Sequence, residues 1–193
     1  LSNNDAGTSN TIFGKSAGAS LDAGSNFNTF IGENVSDASM NDAINNVGVG
    51  YQALSGLTSG DYNVAVGFEA LKSNTTGEGN VAIGYRALDA NVAGAVNVAI
   101  GVDALGAYTG SYSVAIGREA LRDATGGNAH TAIGLGALAA ITDGVNNTAL
   151  GYVAGNDITT GNYNTLLGYS AGSKLISGGA NVAIGNQAML AHE

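Results

Sequence analysis

One short pattern of apolar and polar positions recurs eleven times along this 193-residue chain. Its clearest copies read NVAVGFEAL, NVAIGYRAL and NVAIGNQAM. The central glycines of the copies are Gly14, Gly32, Gly50, Gly67, Gly84, Gly101, Gly117, Gly134, Gly151, Gly168 and Gly185. Their spacing is 17 residues, except for two spacings of 18 at the start and one of 16 before Gly117. A fixed short period predicts a solenoid of stacked coils.

Each repeat is numbered here from its central glycine as position 0. Position −3 is Val or Thr, position −2 is mostly Ala, and position −1 is a large apolar residue such as Ile83 or Ile100. β-branched residues at alternate places predict a short strand, whose side chains point to opposite faces. Both faces are apolar, so we expect both to be buried. One face can pack inside its own coil, whereas the other needs a second layer, which predicts a homo-oligomer.

The remainder of each coil is predicted from two further columns. Ala at position +3 and, in six copies, Leu at position +4 indicate a second short strand that closes the coil. Glycine recurs at position −7 in nine copies, and with the central column (Gly67, Gly84, Gly101) it indicates two places of positive φ or close backbone approach. The coil is therefore expected to run strand, tight turn, short strand, wider polar turn.

Asparagine occupies position −4 in nine of the eleven copies, among them Asn63, Asn80 and Asn97. Stacked coils would place these side chains in a ladder, in which each amide bonds its neighbour or the turn backbone. Ser113 and His130 fill the other two places. We interpret His130 as a hydrogen-bonding substitute for Asn rather than as a metal ligand.

The phrase N-[VT]-A-[IV]-G resembles the head repeat of trimeric autotransporter adhesins and the repeats of tailed-bacteriophage fibre proteins. The resemblance runs from Asn10 to Met189. It implies a left-handed parallel β-roll wound as a homotrimer. It also implies a structural or adhesive rod that mediates attachment, as part of a phage tail fibre or bacterial surface adhesin, in an extracellular, cell-surface or virion setting. A host-surface glycan or protein would be its other partner.

The sequence as a whole is expected to be all-β, a parallel β-roll or β-solenoid of about eleven coils of 17 residues. We expect residues 1–193 to form a single repeat domain, with coils centred on Gly14 to Gly185, within a longer fibre. The extra residues of the first periods predict a bulge from Glu33 to Asn45.

Composition argues against most chemistry. No copy differs enough from the others to be an active site, so we expect no enzyme. A formal charge of −9 disfavours nucleic acid, and no apolar run reaches the roughly 18 residues of a membrane-spanning helix. Phosphate-loop, calcium-nonapeptide and zinc-ligand patterns are absent from the sequence, so neither cofactor nor metal is expected.

The surface candidates are aromatic. Position +1 holds Tyr51, Phe68, Tyr85, Tyr152 and Tyr169, and position −5 holds Phe27, Tyr62, Tyr112 and Tyr163. The position +1 column would form a stabilising ladder or a stripe that binds a glycan or protein. The alternative function is a ligand-binding or ice-binding solenoid. The threonines of position −3 are interrupted by valine and lie on a face expected to be buried, which weakens the ice-binding alternative.

Overall fold

Eleven parallel strands of three residues each form one sheet in the computed structural model, which describes residues 7–190. The strands are β1 (Thr11–Phe13), β2 (Thr29–Ile31), β3 (Val47–Val49), β4 (Val64–Val66), β5 (Val81–Ile83), β6 (Val98–Ile100), β7 (Val114–Ile116), β8 (Thr131–Ile133), β9 (Thr148–Leu150), β10 (Thr165–Leu167) and β11 (Val182–Ile184). They are hydrogen-bonded in chain order, β1 to β11. The predicted all-β parallel solenoid with a period of about 17 residues is confirmed.

Equivalent positions of successive coils lie directly on one another. Val81 pairs with Val98, and Ile83 pairs with Ile100. The same register holds from β1 to β11, since the 18- and 16-residue spacings are absorbed in the turns. Within residues 7–190 no helix is long and apolar enough to cross a membrane.

Small and branched apolar side chains fill the inside of the coil. Ala82 at position −2, Ala87 at +3 and Leu88 at +4 are each fully buried. A further inward column at position +7, which the sequence pattern did not reveal, adds Leu57, Tyr108, Ile141 and Ile158 in different coils. The core is therefore one continuous thin column along the stack.

The Ala–Leu segment is a turn and not the second strand expected from the sequence. Arg86 at position +2 and Leu88 at position +4 have φ values of +52° and +53°. Left-handed residues that alternate with right-handed ones bend the chain at each step, so the segment cannot extend. Each coil thus has one strand, and Leu88 reaches the core from the turn.

The central glycine has the conformation that the sequence indicated. Gly84 has a φ of +139°, and a Cβ atom there would lie 2.5 Å from the Gly101 carbonyl oxygen. Most glycines at position −7 are needed for close backbone approach and not for a positive φ. At Gly161, whose φ is not positive, a Cβ would lie 2.5 Å from the Gly178 carbonyl oxygen. Position 0 therefore needs glycine for conformation and space, and position −7 needs it for space.

The asparagine column forms a buried hydrogen-bonded ladder. The Asn97 backbone N–H and side-chain Nδ2 donate to Asn80 Oδ1, at 3.0 and 3.1 Å. Asn80 Nδ2 donates to the Gly94 carbonyl of the following coil at 2.9 Å. Asn63 makes the same contacts one coil earlier. Each amide therefore joins both its neighbouring residue and a turn carbonyl.

The two substituted rungs of the ladder keep its bond to the next backbone N–H in different ways. The buried Tyr108 hydroxyl lies 2.7 Å from Ser113 Oγ and 3.1 Å from the Gly127 carbonyl, which a rung asparagine would otherwise reach. His130 donates its backbone N–H to Ser113 Oγ at 3.1 Å, and its Nδ1 accepts from the Asn147 N–H at 3.4 Å. Burial lowers the pKa of His130, opposed by an interaction with the Gly144 backbone.

The extra residue between Gly32 and Gly50 is confined to a short stretch of the expected bulge. The Ala38 N–H donates to the Ser55 carbonyl as the Gly56 N–H donates to Lys72 one coil later, and the Asn41 N–H donates to the Thr58 carbonyl as the Thr58 N–H donates to Thr75. Three residue steps from Ala38 to Asn41 therefore match two steps in the next coil. Between these points, Met40 is buried in the place that Leu57 takes in the next coil. The stack therefore continues on both sides of the insertion.

Candidate functional site

The outer face of the sheet is apolar and open in the single chain. In β5, Ala82 points inward and is buried, while Val81 is half-buried and Ile83 is 39% exposed. The same pattern, with the middle residue alone buried, recurs in all eleven strands. Ile83 and Ile100 thus line the outside of the coil. This arrangement follows from size, because the narrow interior holds small residues at position −2 in most coils. It admits Phe30 and Leu166 there in coils whose position +4 is Ser36 or Gly172.

This outer face also corrects the expectation for the threonines of position −3. Thr131, Thr148 and Thr165 pair in register on adjacent strands and are half-exposed on the outer face. They are not buried within the chain. Their exposure removes one of the two reasons that weakened the ice-binding alternative, and the interruption of the column by valine stays.

The aromatic column at position +1 borders this face as two separate stacks. The ring centroids of Tyr51 and Phe68 are 5.2 Å apart, and those of Phe68 and Tyr85 are 5.3 Å apart. Tyr152 and Tyr169 form the second stack, with centroids 5.4 Å apart and planes within 5°. The five rings are between 40% and 52% exposed, so they stack on each other and also present area to solvent.

Three residues separate the two aromatic stacks: Val102, Arg118 and Leu135. The second aromatic set, at position −5, is more exposed, between 58% and 65%. Its members Phe27, Tyr62, Tyr112 and Tyr163 have φ values between +58° and +63° and occur in coils that are not adjacent. They are isolated projections rather than a ladder.

The size of the outer face indicates a contact surface. From position −3 to −1 the strands span about 7 Å, and ten strand spacings span about 48 Å, so the strand face alone covers roughly 300 Å². A typical monomer exposes a largest apolar patch of about 300–600 Å². The strand face alone reaches this range, and it is continuous along all eleven coils.

A second surface feature is a threonine ladder at position +8, which the sequence pattern did not single out. Thr58 Oγ1 donates to the Thr75 carbonyl at 3.0 Å, and Thr142 Oγ1 donates to the Thr159 carbonyl at 3.1 Å. These hydroxyls bond the backbone of the next coil, so they stabilise the wide turn. The recurrence of threonine at a fixed offset was the signal that could have revealed it.

The part of the chain that the structure describes contains no cluster of metal ligands. Among residues 7–190, no group of three or more His, Asp or Glu side chains is placed to hold a metal ion. His130 lies in the ladder. Its Nε2 atom is buried and has no hydrogen-bond partner among these residues. His192 lies outside the described residues.

Comparison with known proteins adds no relative. No protein-family model, curated protein or solved structure matches this chain. The functional argument therefore depends on the surfaces described above.

Proposed function

We propose that this chain is a non-enzymatic rod segment of an extracellular or virion fibre, active as a homotrimer that mediates attachment to a cell surface. A phage tail fibre and a bacterial trimeric surface adhesin are the two settings that its repeats resemble. The observation that supports the proposal is the open apolar face, repeated in every coil. Left-handed winding stays a prediction.

The composition of the face favours association with identical chains. Positions −3 and −1 carry no charged residue in any of the eleven copies, although the chain has a net charge of −9. A sheet face that is solvated in a monomer normally carries polar residues. Three copies packed around an axis parallel to the stack would cover these faces and leave the acidic residues in solvent.

Light scattering of the whole chain tests this proposal. A trimer of 19.0 kDa chains has a mass of about 57 kDa. Ile83→Asp should give monomers, because the trimer would bury an unpaired carboxylate. Ile176→Asp is the matched control, because Ile176 is 63% exposed at position +8, away from the strands. A monomeric parent at micromolar concentration, or equal loss of mass in both variants, would refute the trimer.

The position +1 aromatics are proposed to contact a glycan or protein of the target surface. Exposed rings such as Tyr85 offer flat apolar area with a polar edge. Tyr85→Ser should reduce attachment of the trimer to cells and leave its mass at 57 kDa, three times 19.0 kDa. Unchanged attachment would assign the column to stability alone.

The second candidate function, a ligand-binding or ice-binding solenoid, is favoured by the in-register Thr131, Thr148 and Thr165. Regularly spaced hydroxyls on a flat face could order a layer of water. A gap between freezing and melting temperatures in solutions of the chain, abolished by Thr148→Lys, would support this function. Its absence together with a trimeric mass would favour the fibre.

A further inference from the structure

Charged residues at positions +2 and +5 are concentrated in four consecutive coils. These are the coils of Gly67, Gly84, Gly101 and Gly117, and we call this region the charged band. In the other seven coils, Asp37 is the one charged residue at these two positions. The band is therefore a local feature of these two positions, while the Lys15–Glu33 and Lys174–Asp157 pairs lie at positions +1 and +6 of other coils.

Three of the four coils in the band carry an ion pair between positions +2 and +5. The pairs are Glu69 with Lys72 at 2.8 Å, Arg86 with Asp89 at 2.9 Å, and Glu119 with Arg122 at 3.0 Å. The acid is at position +2 in the first of these coils and at position +5 in the second. The band thus follows a rule in which each acid at one position faces a base at the other.

The coil of Gly101 breaks this rule. Asp103 occupies position +2, and Gly106 stands where a lysine or arginine would complete the pair. Within residues 7–190 no cationic nitrogen lies within 4.0 Å of the Asp103 carboxylate, which interacts with Arg86 at longer range. Asp103 is the one member of the band without an ion pair in the described chain.

A surface cavity of about 370 Å³ lies at this place. Arg86 and Asp89 line one side, and Arg122 and Asp123 line the other. Each of these arginines is already paired with an acid of its own coil, since Arg122 Nη2 lies 2.7 Å from Asp123 Oδ2. The unbalanced charge in the notch is therefore that of Asp103.

The backbone does not require glycine at position 106. Its φ is not positive, and a Cβ atom would lie 3.4 Å from the Asp103 carbonyl oxygen and 3.7 Å from the Arg122 carbonyl oxygen. These are ordinary van der Waals distances. A side chain would fit here, and it would fill the notch that glycine leaves open.

We propose that this notch binds the ammonium or guanidinium group of a lysine or arginine side chain from a partner protein, which completes the missing pair with Asp103. The net charge of −9 would attract a basic protein surface. A divalent metal is disfavoured, since the described residues contain no cluster of three acidic or imidazole ligands. This inference is independent of the fibre assignment.

The test is titration of the isotopically labelled whole chain with a capped Gly-Lys-Gly peptide, followed by amide chemical shifts in NMR. The lysine peptide should shift the amides of residues 103–107, and a capped Gly-Gln-Gly peptide should not. Asp103→Asn should weaken the lysine peptide at least fivefold. Asp143→Asn is the matched control and should leave binding unchanged, because Asp143 is exposed, lies outside the band and has no ion pair among residues 7–190.

Gly106→Lys provides a second test by filling the position from within the chain. It should abolish the peptide-induced shifts while the trimer mass stays that of the parent, so failure of this inference and failure of the proposed function are separable. Equal binding by the parent and Asp103→Asn would overturn the proposal. So would the absence of shifts at 103–107, or displacement of the peptide by equimolar Ca²⁺.

Discussion

Replacing Gly84 with alanine tests the central rule of this fold, that successive coils are too close to admit a side chain at position 0. Gly84 has a φ of +139°, where a residue with a Cβ atom is strained. That Cβ atom would lie 2.5 Å from the carbonyl oxygen and 2.7 Å from the carbonyl carbon of Gly101. Both are backbone atoms of a hydrogen-bonded coil, so they cannot rotate away.

The expected cost has two parts. The strained φ costs roughly 1–3 kcal/mol, and forcing packed coils apart costs roughly a further 1–3 kcal/mol. The sum is about 2–6 kcal/mol per chain, which lowers the Tm of a chain of this length by roughly 5–20 °C. Thermal unfolding followed by circular dichroism, at matched protein concentration, measures this shift.

Two other glycines separate the two costs. Gly185→Ala should be destabilised only by the strained φ of +123°, because nothing lies within 4 Å of its Cβ position. Gly106→Ala should be destabilised by neither strain nor close contact, since its φ is not positive and its nearest Cβ contact is 3.4 Å. The predicted order of destabilisation is Gly84, Gly185, Gly106. A Gly84→Ala chain that melts within 2 °C of Gly106→Ala would refute the close-approach argument.

Three further outcomes follow from single contacts. Asn80→Ala should lower the Tm about as much as Gly84→Ala, because the Gly94 carbonyl and the Asn97 N–H lose buried partners worth about 1–3 kcal/mol each; an unchanged melting curve would contradict this. Burial lowers the pKa of His130 below 6.5 in the folded chain. The unfolded chain therefore takes up a proton first as pH falls below 6.5, and the free energy of unfolding decreases from pH 6.5 down to the folded pKa. His130→Asn should flatten that part of the Tm profile, and an unaltered acid slope would assign it to other groups. Val96→Gly should raise stability by about 1 kcal/mol, since this exposed β-branched residue has a φ of +58°; chemical denaturation that shows a loss would count against strain at position −5.

The strand residues show how far a periodic sequence determines this fold. Alternation of Val, Ala and Ile located all eleven strands, because a period of two is the geometry of an extended chain. The pattern indicated four or five residues for each strand, whereas the structure has three. The 17-residue recurrence then fixed the parallel register, since like residues must stack on like in a solenoid. The asparagine ladder followed from the same stacking, because a side-chain amide repeated every coil has a neighbouring amide within hydrogen-bonding reach.

The turns could not be predicted in this way. The Ala–Leu segment has the composition of a short strand, and only the left-handed φ of Leu88 makes it a turn. Leucine at positive φ is disfavoured locally and is held there because its side chain is fully buried in the core. The mark on the sequence is glycine at this position in three coils, since Gly18, Gly155 and Gly172 have φ values of +53°, +61° and +61°.

The direction of each face was also decided only in the tertiary structure. The sequence determined that both sides of the strand are apolar, and therefore that one side lacks cover within the chain. The narrow coil interior selected alanine for the inside and placed Ile83 on the outside, because volume in a closed coil is shared with Leu88 and the position +7 column. The notch at Asp103 arises in the same way: Gly106 is one more glycine in a glycine-rich sequence, and it becomes a gap only when stacking places charged pairs above and below it.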